Sequence, residues 1–194
     1  MGGAWYGRPL LQSAGDEALT VDELLLRAYQ ARRGGRLADA EWDMAQAVDL
    51  SRQAESPIDL AKALTGLGQV ERDLGRRKLS RGRYEEAAAI YRTGSNKLKL
   101  AHAVRHLGDI QQELGRPDLA APCYQEALQI YRTHSHTPPL DLANAIRSFA
   151  IHKENVGEDA EARALWEEAR DLYAAAGVEA AVDECLRRIN ALVQ

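Results

Sequence analysis

Only two cysteines, six prolines and one phenylalanine occur in the 194 residues. Cys123 and Cys185 lie far apart, each inside a helical pattern, so they read as small buried hydrophobes of a reducing cytoplasm and not as a disulfide. Long apolar runs are missing too, and none approaches the roughly 18–20 residues that span a bilayer. The opening stretch has no basic start followed by an apolar core, so no secretory leader is expected. Met1-Gly2 is followed by Tyr6 where a myristoylation signal has Ser or Thr. The net charge is −4, which gives no global attraction for nucleic acid or an anionic membrane. There is no phosphate-cradling glycine loop, no HExxH and no GxSxG, so no catalytic residue and no cofactor is assigned, and the expected protein is not an enzyme. No segment alternates with the period of two that marks a strand.

What the chain has is repetition. Leu60 opens "LAKALTGLG", Leu100 opens "LAHAVRHLG" and Leu142 opens "LANAIRSFA", at spacings of 40 and 42 residues. "YEEAAAIYR" at 84–92 returns as "YQEALQIYR" at 124–132. Each unit predicts two helices. The first has one apolar stripe of 3.6-residue period: Leu60, Leu64, Leu67, Val70 and Leu74, then Leu100, Val104, Leu107, Ile110 and Leu114. The third copy runs Leu142, Ile146, Phe149, His152, Val156, with a histidine where the others have Val70 and Ile110. That histidine reads as half-buried with one hydrogen-bond partner. The second helix alternates small and large residues, as in Ser80-Tyr84-Ala87-Tyr91, Ala120-Tyr124-Ala127-Tyr131 and Ala162-Trp166-Ala169-Tyr173. A degenerate copy, Ala40-Met44-Ala47-Ser51, stands in front. Glycine follows the first helix of each unit at "GGR" 34–36, "LGR" 74–76 and 114–116, and "VGE" 156–158. Pro57 and Pro138-Pro139 open units, where proline is tolerated in a first helical turn.

With a small residue in the first helix at Ala28, Gly68, Gly108 and Ala150, this pattern resembles the tetratricopeptide repeat, in the long-repeat form similar to kinesin light chains. The resemblance covers roughly 20–176 and implies an all-α fold: a right-handed α-α superhelix of four helix pairs plus a C-terminal capping helix. The expected organisation is an N-terminal arm at 1–19, either clipped onto the first unit or disordered. Repeats follow at about 20–55, 56–95, 96–137 and 138–177, and a capping helix at 178–194. The repeat exceeds the common length of about 34 residues, so longer helices and a stretched linker at 133–139 are expected.

In the resemblance, the first helices line a concave groove that binds a protein or peptide, here one with an acidic segment. The groove-facing candidates are Lys62, Thr65, Gln69 and Arg72 in the second unit, His102, Arg105, Asp109 and Gln112 in the third, and Asn144, Arg147, Ile151 and Glu154 in the fourth. The degenerate first unit offers Asp22, Leu25, Tyr29 and Arg32. Arg105 and Arg147 hold equivalent positions in adjacent rows. Two guanidinium forks so spaced can grip carboxylates, and truncating both is expected to leave stability unchanged. The carboxylate clamp that some members build from Lys and Asn is not matched, since Gln69 and Asp109 stand where paired Asn would be sought. A second candidate is the basic turn of Arg76, Arg77, Lys78, Arg81 and Arg83, whose charge opposes a helix dipole and suits an anion, the alternative being a plain solvated turn. His102 and His106, four apart, lack the further ligands a metal needs, so no metal is assigned. The functional expectation is a non-catalytic, cytoplasmic protein–protein interaction scaffold, with a peptide-sensing regulatory protein as the alternative. Self-association through the array ends stays open.

Overall fold

The computed structural model describes residues 19–192. The arm expected at 1–19 lies outside these but for its last residue, and so do the last two residues of the chain. Among the described residues are nine α-helices and no strand: α1 (Val21–Arg33), α2 (Leu37–Gln53), α3 (Pro57–Asp73), α4 (Arg77–Thr93), α5 (Lys97–Glu113), α6 (Pro117–Thr133), α7 (Pro139–Asn155), α8 (Asp159–Ala175) and α9 (Glu179–Ala191). They form four antiparallel pairs, α1/α2 to α7/α8, stacked in order into a superhelix, with α9 packed on α8.

The long period has a simple origin. Helices α2 to α8 are each 17 residues long, and short turns join them. The added residues of the 42-residue spacing fall in the linker 134–138 between α6 and α7. Helix starts follow local chemistry. Thr20 and Glu23 cap α1 reciprocally, Asn96 accepts from the Lys99 amide to cap α5, and Pro57, Pro117 and Pro139 open α3, α6 and α7. The turns within pairs need a left-handed residue, and Gly75 (φ 75°) and Gly115 (φ 71°) supply it without a Cβ penalty. The α2–α3 turn uses Glu55 at φ 50°, a conformation that an L side chain adopts at some cost.

The core is one continuous seam. Leu64, Val70, Val104, Ile110 and Ile146 are fully buried on the first helices, and Met44, Tyr84, Tyr131 and Trp166 on the second. Pairs close because the first helix is thin where the aromatic crosses it. A Cβ on Gly68 would lie 3.0 Å from Tyr84 Cε2, and one on Gly108 would lie 2.8 Å from Tyr124 Cε1. Ala28 and Ala150, both fully buried, take this place in the outer pairs. Gly66 makes the same concession between pairs, where a Cβ would meet Met44 Cε at 2.5 Å.

Second helices are tied pair to pair by a ladder of equivalent bonds. Arg52 reaches Glu86, Arg92 reaches Glu126 and Arg132 reaches Glu168, at 2.9, 2.8 and 2.6 Å. Exposed pairs of this kind contribute at most about 1 kcal/mol each. Their regularity keeps the register of the stack.

Gly108→Ala is expected to lower stability by about 1–3 kcal/mol through overpacking against a buried ring. Gly82→Ala, on the exposed face of α4 with open space around it, is expected to raise stability by about 0.5–1 kcal/mol. Urea midpoints of the two variants moving in opposite directions would establish the contrast.

Candidate functional site

The odd-numbered helices form the inner face, and two hollows open on it. The front one, about 250 Å³, lies across α1, α3 and α5. Tyr29 and Arg32 come from α1, Lys62, Thr65 and Gln69 from α3, Lys99, His102 and His106 from α5, and Tyr84 and Tyr91 from α4 behind them. The rear one, about 310 Å³, lies across α3, α5 and α7 and is lined by Arg72, Arg105, Asp109, Arg147 and Ser148 with Tyr124 beneath. His106 lines both.

The period puts these side chains here. First-helix residues off the apolar stripe face inward, and the second-helix aromatics reach through from behind. Tyr84 and Tyr124 turn their hydroxyls to the groove floor. Tyr84 donates to Gln69 Oε1 at 3.4 Å and Tyr124 to Asp109 Oδ1 at 3.1 Å. Gln69 and Asp109 hold equivalent positions, so both serve first as acceptors for a buried phenol. In the fourth pair Ile151 stands there, and Trp166 donates instead to Glu154 at 2.6 Å.

The candidates divide between the hollows. Lys62, Thr65, Gln69 and His102 converge on the front one. Lys62 rests on Asp59 of its own helix at 2.8 Å, and Thr65 donates to the Ala61 carbonyl. Arg72, Arg105, Asp109 and Arg147 converge on the rear one. Asn144 lines neither hollow and accepts from the Tyr173 hydroxyl at 2.8 Å. Leu25, projected inward from sequence, is buried in the core.

The arginine rows are internally engaged. Arg72 holds Glu113 at 2.5 Å and Asp109 at 3.5 Å, and Arg105 holds Asp109 at 3.3 Å. Arg147 makes two parallel bonds to Glu184 of α9 at 2.8 and 2.7 Å. The expectation that Arg147 can be removed without structural consequence is therefore corrected, since it fastens α9 to the stack. The basic turn is neutralised in the same manner. Arg76 pairs with Glu41, Arg77 with Glu113, Arg81 with Glu85 and Arg83 with Glu71, which leaves Lys78 alone of the five without an acidic partner among the described residues.

Sequence reading placed Tyr91 only in the packing stripe, passed over Lys99 and weighed His106 only as a metal ligand; Tyr91 and Lys99 face the front hollow. His106 stacks on Tyr84, with centroids 5.3 Å apart, and meets His102 edge-on at 4.5 Å. Its Nε2 faces Arg105 Nη2 at 2.7 Å. A guanidinium only donates, so Nε2 accepts and the proton sits on Nδ1, 3.4 Å from Asp109 Oδ2. Burial, with the Arg105 charge adding to it, pushes His106 down to about 4. Burial, helped by His106 and Arg105, pushes His102 down to about 3. Burial alone would raise Asp109, but the His106 contact and the two guanidinium charges prevail and hold it at about 2. Tyr84 and Tyr124 are pushed up, mainly by burial. Both groove histidines are thus neutral at pH 7. Neither cysteine is activated: Cys185 is buried, and partly buried Cys123 is pushed up to about 11, first by burial.

Histidines whose folded pKa lies below the unfolded value of about 6.5 stabilise the fold fully above that pH. The contribution is lost as pH falls from about 6.5 to about 4 for His106 and to about 3 for His102. The Asp109 contribution is lost lower, between about 4 and 2. The unfolding free energy from urea titration is expected to drop between pH 7.5 and 4.5, by on the order of 2–3 kcal/mol for His106 alone. His106→Gln should start lower but show a shallower slope across that window. Arg147→Ala should selectively speed amide exchange in α9, because it leaves Glu184 without its partner.

Comparison with known proteins follows the geometry. Residues 59–133 match the family model described as tetratricopeptide repeat. No curated protein matches the sequence significantly. Among solved structures, BtubC (BKLC) from P. vanneervenii superposes with a TM-score of 0.69 at 19% identity, over 89% of this chain and 80% of that one. The nearly identical TPR-like repeats of a kinesin-light-chain-like protein from Podosopora anserina give 0.67 at 16%, over 89% and 94%. MamA gives 0.61 at 20%, over 81% and 80%. At these identities the likeness is one of fold. No helix among the described residues is long and apolar enough to cross a membrane. Residues 59–133 carry the family's repeat and stacked pairs of the same architecture lie on both sides, so the fold is that of a tetratricopeptide-repeat superhelix.

Proposed function

We propose that the protein is a non-catalytic interaction scaffold of a reducing, cytoplasmic compartment that holds an extended segment of a partner protein, one carrying acidic side chains, along its inner face. One observation carries this reading: two hollows on the first-helix face meet at His106, so neighbouring side chains of a single segment have successive places to enter. The walls are already ordered. Tyr84, Tyr124, Gln69 and the arginines are held by bonds within the chain, which lowers the entropy cost that docking would otherwise carry.

A second reading, a peptide-sensing regulatory protein that changes curvature, is favoured by one seam. Ion pairs join α1 to α3 (Arg32–Asp73), α3 to α5 (Arg72–Glu113) and α7 to α9 (Arg147–Glu184). Between α5 and α7 the described residues make only neutral or single-charge hydrogen bonds, His152 Nδ1 to Gln112 at 2.8 Å and Arg105 to Ser148 at 3.5 Å. The longest linker, 134–138, lies behind the same seam. Ligand-dependent change in small-angle scattering would select this reading, and an unchanged curve would select the rigid scaffold.

Peptides selected from a random displayed library on the intact chain are expected to be enriched in Asp and Glu. They should bind Lys62→Glu at least about tenfold more weakly, a change of about 1.4 kcal/mol. Arg92→Glu, on the outer face, should bind them as the parent does. Equal binding to Lys62→Glu would remove the inner face as the docking surface.

A further inference from the structure

The structure assigns the anchor of the groove to the front hollow: we propose that it takes the carboxylate of one Asp or Glu side chain of the bound segment, with Lys99 as its charge partner and the Tyr29 hydroxyl as a second donor. This rests on the reading of the inner face as a segment-binding groove, and it places the binding contact away from the arginine rows.

The rear hollow is poorly suited to an incoming carboxylate. Each of its guanidiniums already holds a carboxylate of the chain: Arg72 on Glu113, Arg105 on Asp109 and Arg147 on Glu184. The side chains of Arg105 and Asp109 are only 14% and 13% exposed. A partner's carboxylate that displaced Asp109 would strand a buried charge, and stranding one is strongly unfavourable.

The front hollow differs in three ways. No acidic side chain lines it, although Arg32, Lys62 and Lys99 do. Two of these cations are compensated from outside the lining, Arg32 by Asp73 at 2.5 Å and Lys62 by Asp59 at 2.8 Å. Lys99 is exposed and has no acidic partner among the described residues. Asp22 also acts on Lys62 from the start of α1, so Lys99 is the one cation of the three with no ion-pair partner among the described residues, and a single charge of that kind matches a carboxylate. A phosphate, at about −1.5 to −2, would be under-neutralised. His102 is neutral at pH 7 and does not alter that count.

The walls favour the same occupant. Tyr29 is 44% exposed at the rim, while Tyr91 is buried beneath it. Aromatic walls exclude water and strengthen a charge-assisted hydrogen bond from an ammonium or a phenol. The volume, about 250 Å³, suits one side chain and not a folded element.

The test uses the full chain, labelled with ¹⁵N, and two probes at low ionic strength: deca-glutamate and deca-glutamine. Deca-glutamate is expected to shift amides around Tyr29, Lys62, Lys99 and His102 saturably, and deca-glutamine to shift none. Lys99→Met should weaken deca-glutamate about tenfold. Lys97→Met, an exposed lysine at the start of the same helix, should change it less than twofold. Equal losses from both variants would reduce the effect to general charge and overturn the anchor. Shifts centred on Arg72, Arg105 and Arg147, with Lys99→Met neutral, would also overturn it while the groove reading stood. Shifts confined to the Arg76–Lys78 turn or the outer helices, or no saturable shift, would overturn both.

Discussion

The structure depends on one steric constraint: a large side chain of each second helix must cross its first helix at a residue with almost no side chain. Tyr84 passes Gly68, Tyr124 passes Gly108, and Met44 and Trp166 stand in the pairs that carry Ala28 and Ala150. Close approach of the helix axes lets ordinary packing density extend through a stack only two helices deep. It also determines what shows on the inner face. The phenols that pass beneath Gly68 and Gly108 emerge at the groove floor, where their hydroxyls need acceptors. Gln69 and Asp109, each one residue beyond its glycine, supply them. Packing between paired helices thereby dictates the chemistry of the floor of the proposed binding face.

Charge is distributed around that seam in two modes. On the outer face, Arg52–Glu86, Arg92–Glu126 and Arg132–Glu168 repeat at equivalent positions and are partly solvated. Solvent screening makes each of them weak. Around Asp109 the groups are buried. Two arginines, a tyrosine and a histidine share one carboxylate there, which stays ionised against its own burial. A network of this kind contributes order more than net stability, because what it gains in attraction it largely loses in desolvation. That order fixes the arginine rows so firmly that they resemble a binding array in sequence yet are committed within the fold.

The repeat was legible because packing enforces periodicity. The stripe Leu60, Leu64, Leu67, Val70, the triplets around Tyr84, Tyr124 and Trp166, and the turn glycines each reflect a local rule acting within one helix or turn. The linker before Pro139 and the helical face that turns inward follow from the same phase. The destination of each long charged side chain was not legible. Arg147 and Arg105 are indistinguishable by phase, yet one reaches 37 residues ahead to Glu184 and the other turns to Asp109 in its own helix. Those choices depend on the twist between successive pairs, which no window of sequence contains. Lys99 was passed over for a related reason. It lies one helical turn before the expected row, and it faces the hollow because Tyr29 and Tyr91 of the preceding pairs wall in that space.

A groove whose most conspicuous cations are internally satisfied must derive selectivity from the few that are not. Moving a carboxylate from water to Arg105 would exchange one buried ion pair for another, with little net gain and a stranded Asp109. Placing the same carboxylate beside Lys99 creates a pair where none exists, at a rim where water still relieves part of the desolvation cost. The neutral histidines sharpen this difference. His106 lines both hollows and His102 the front one, and neither adds a positive charge there at pH 7. A segment sliding along the inner face would therefore meet one electrostatic minimum at its α1–α5 end, and register along the groove would follow from that single contact.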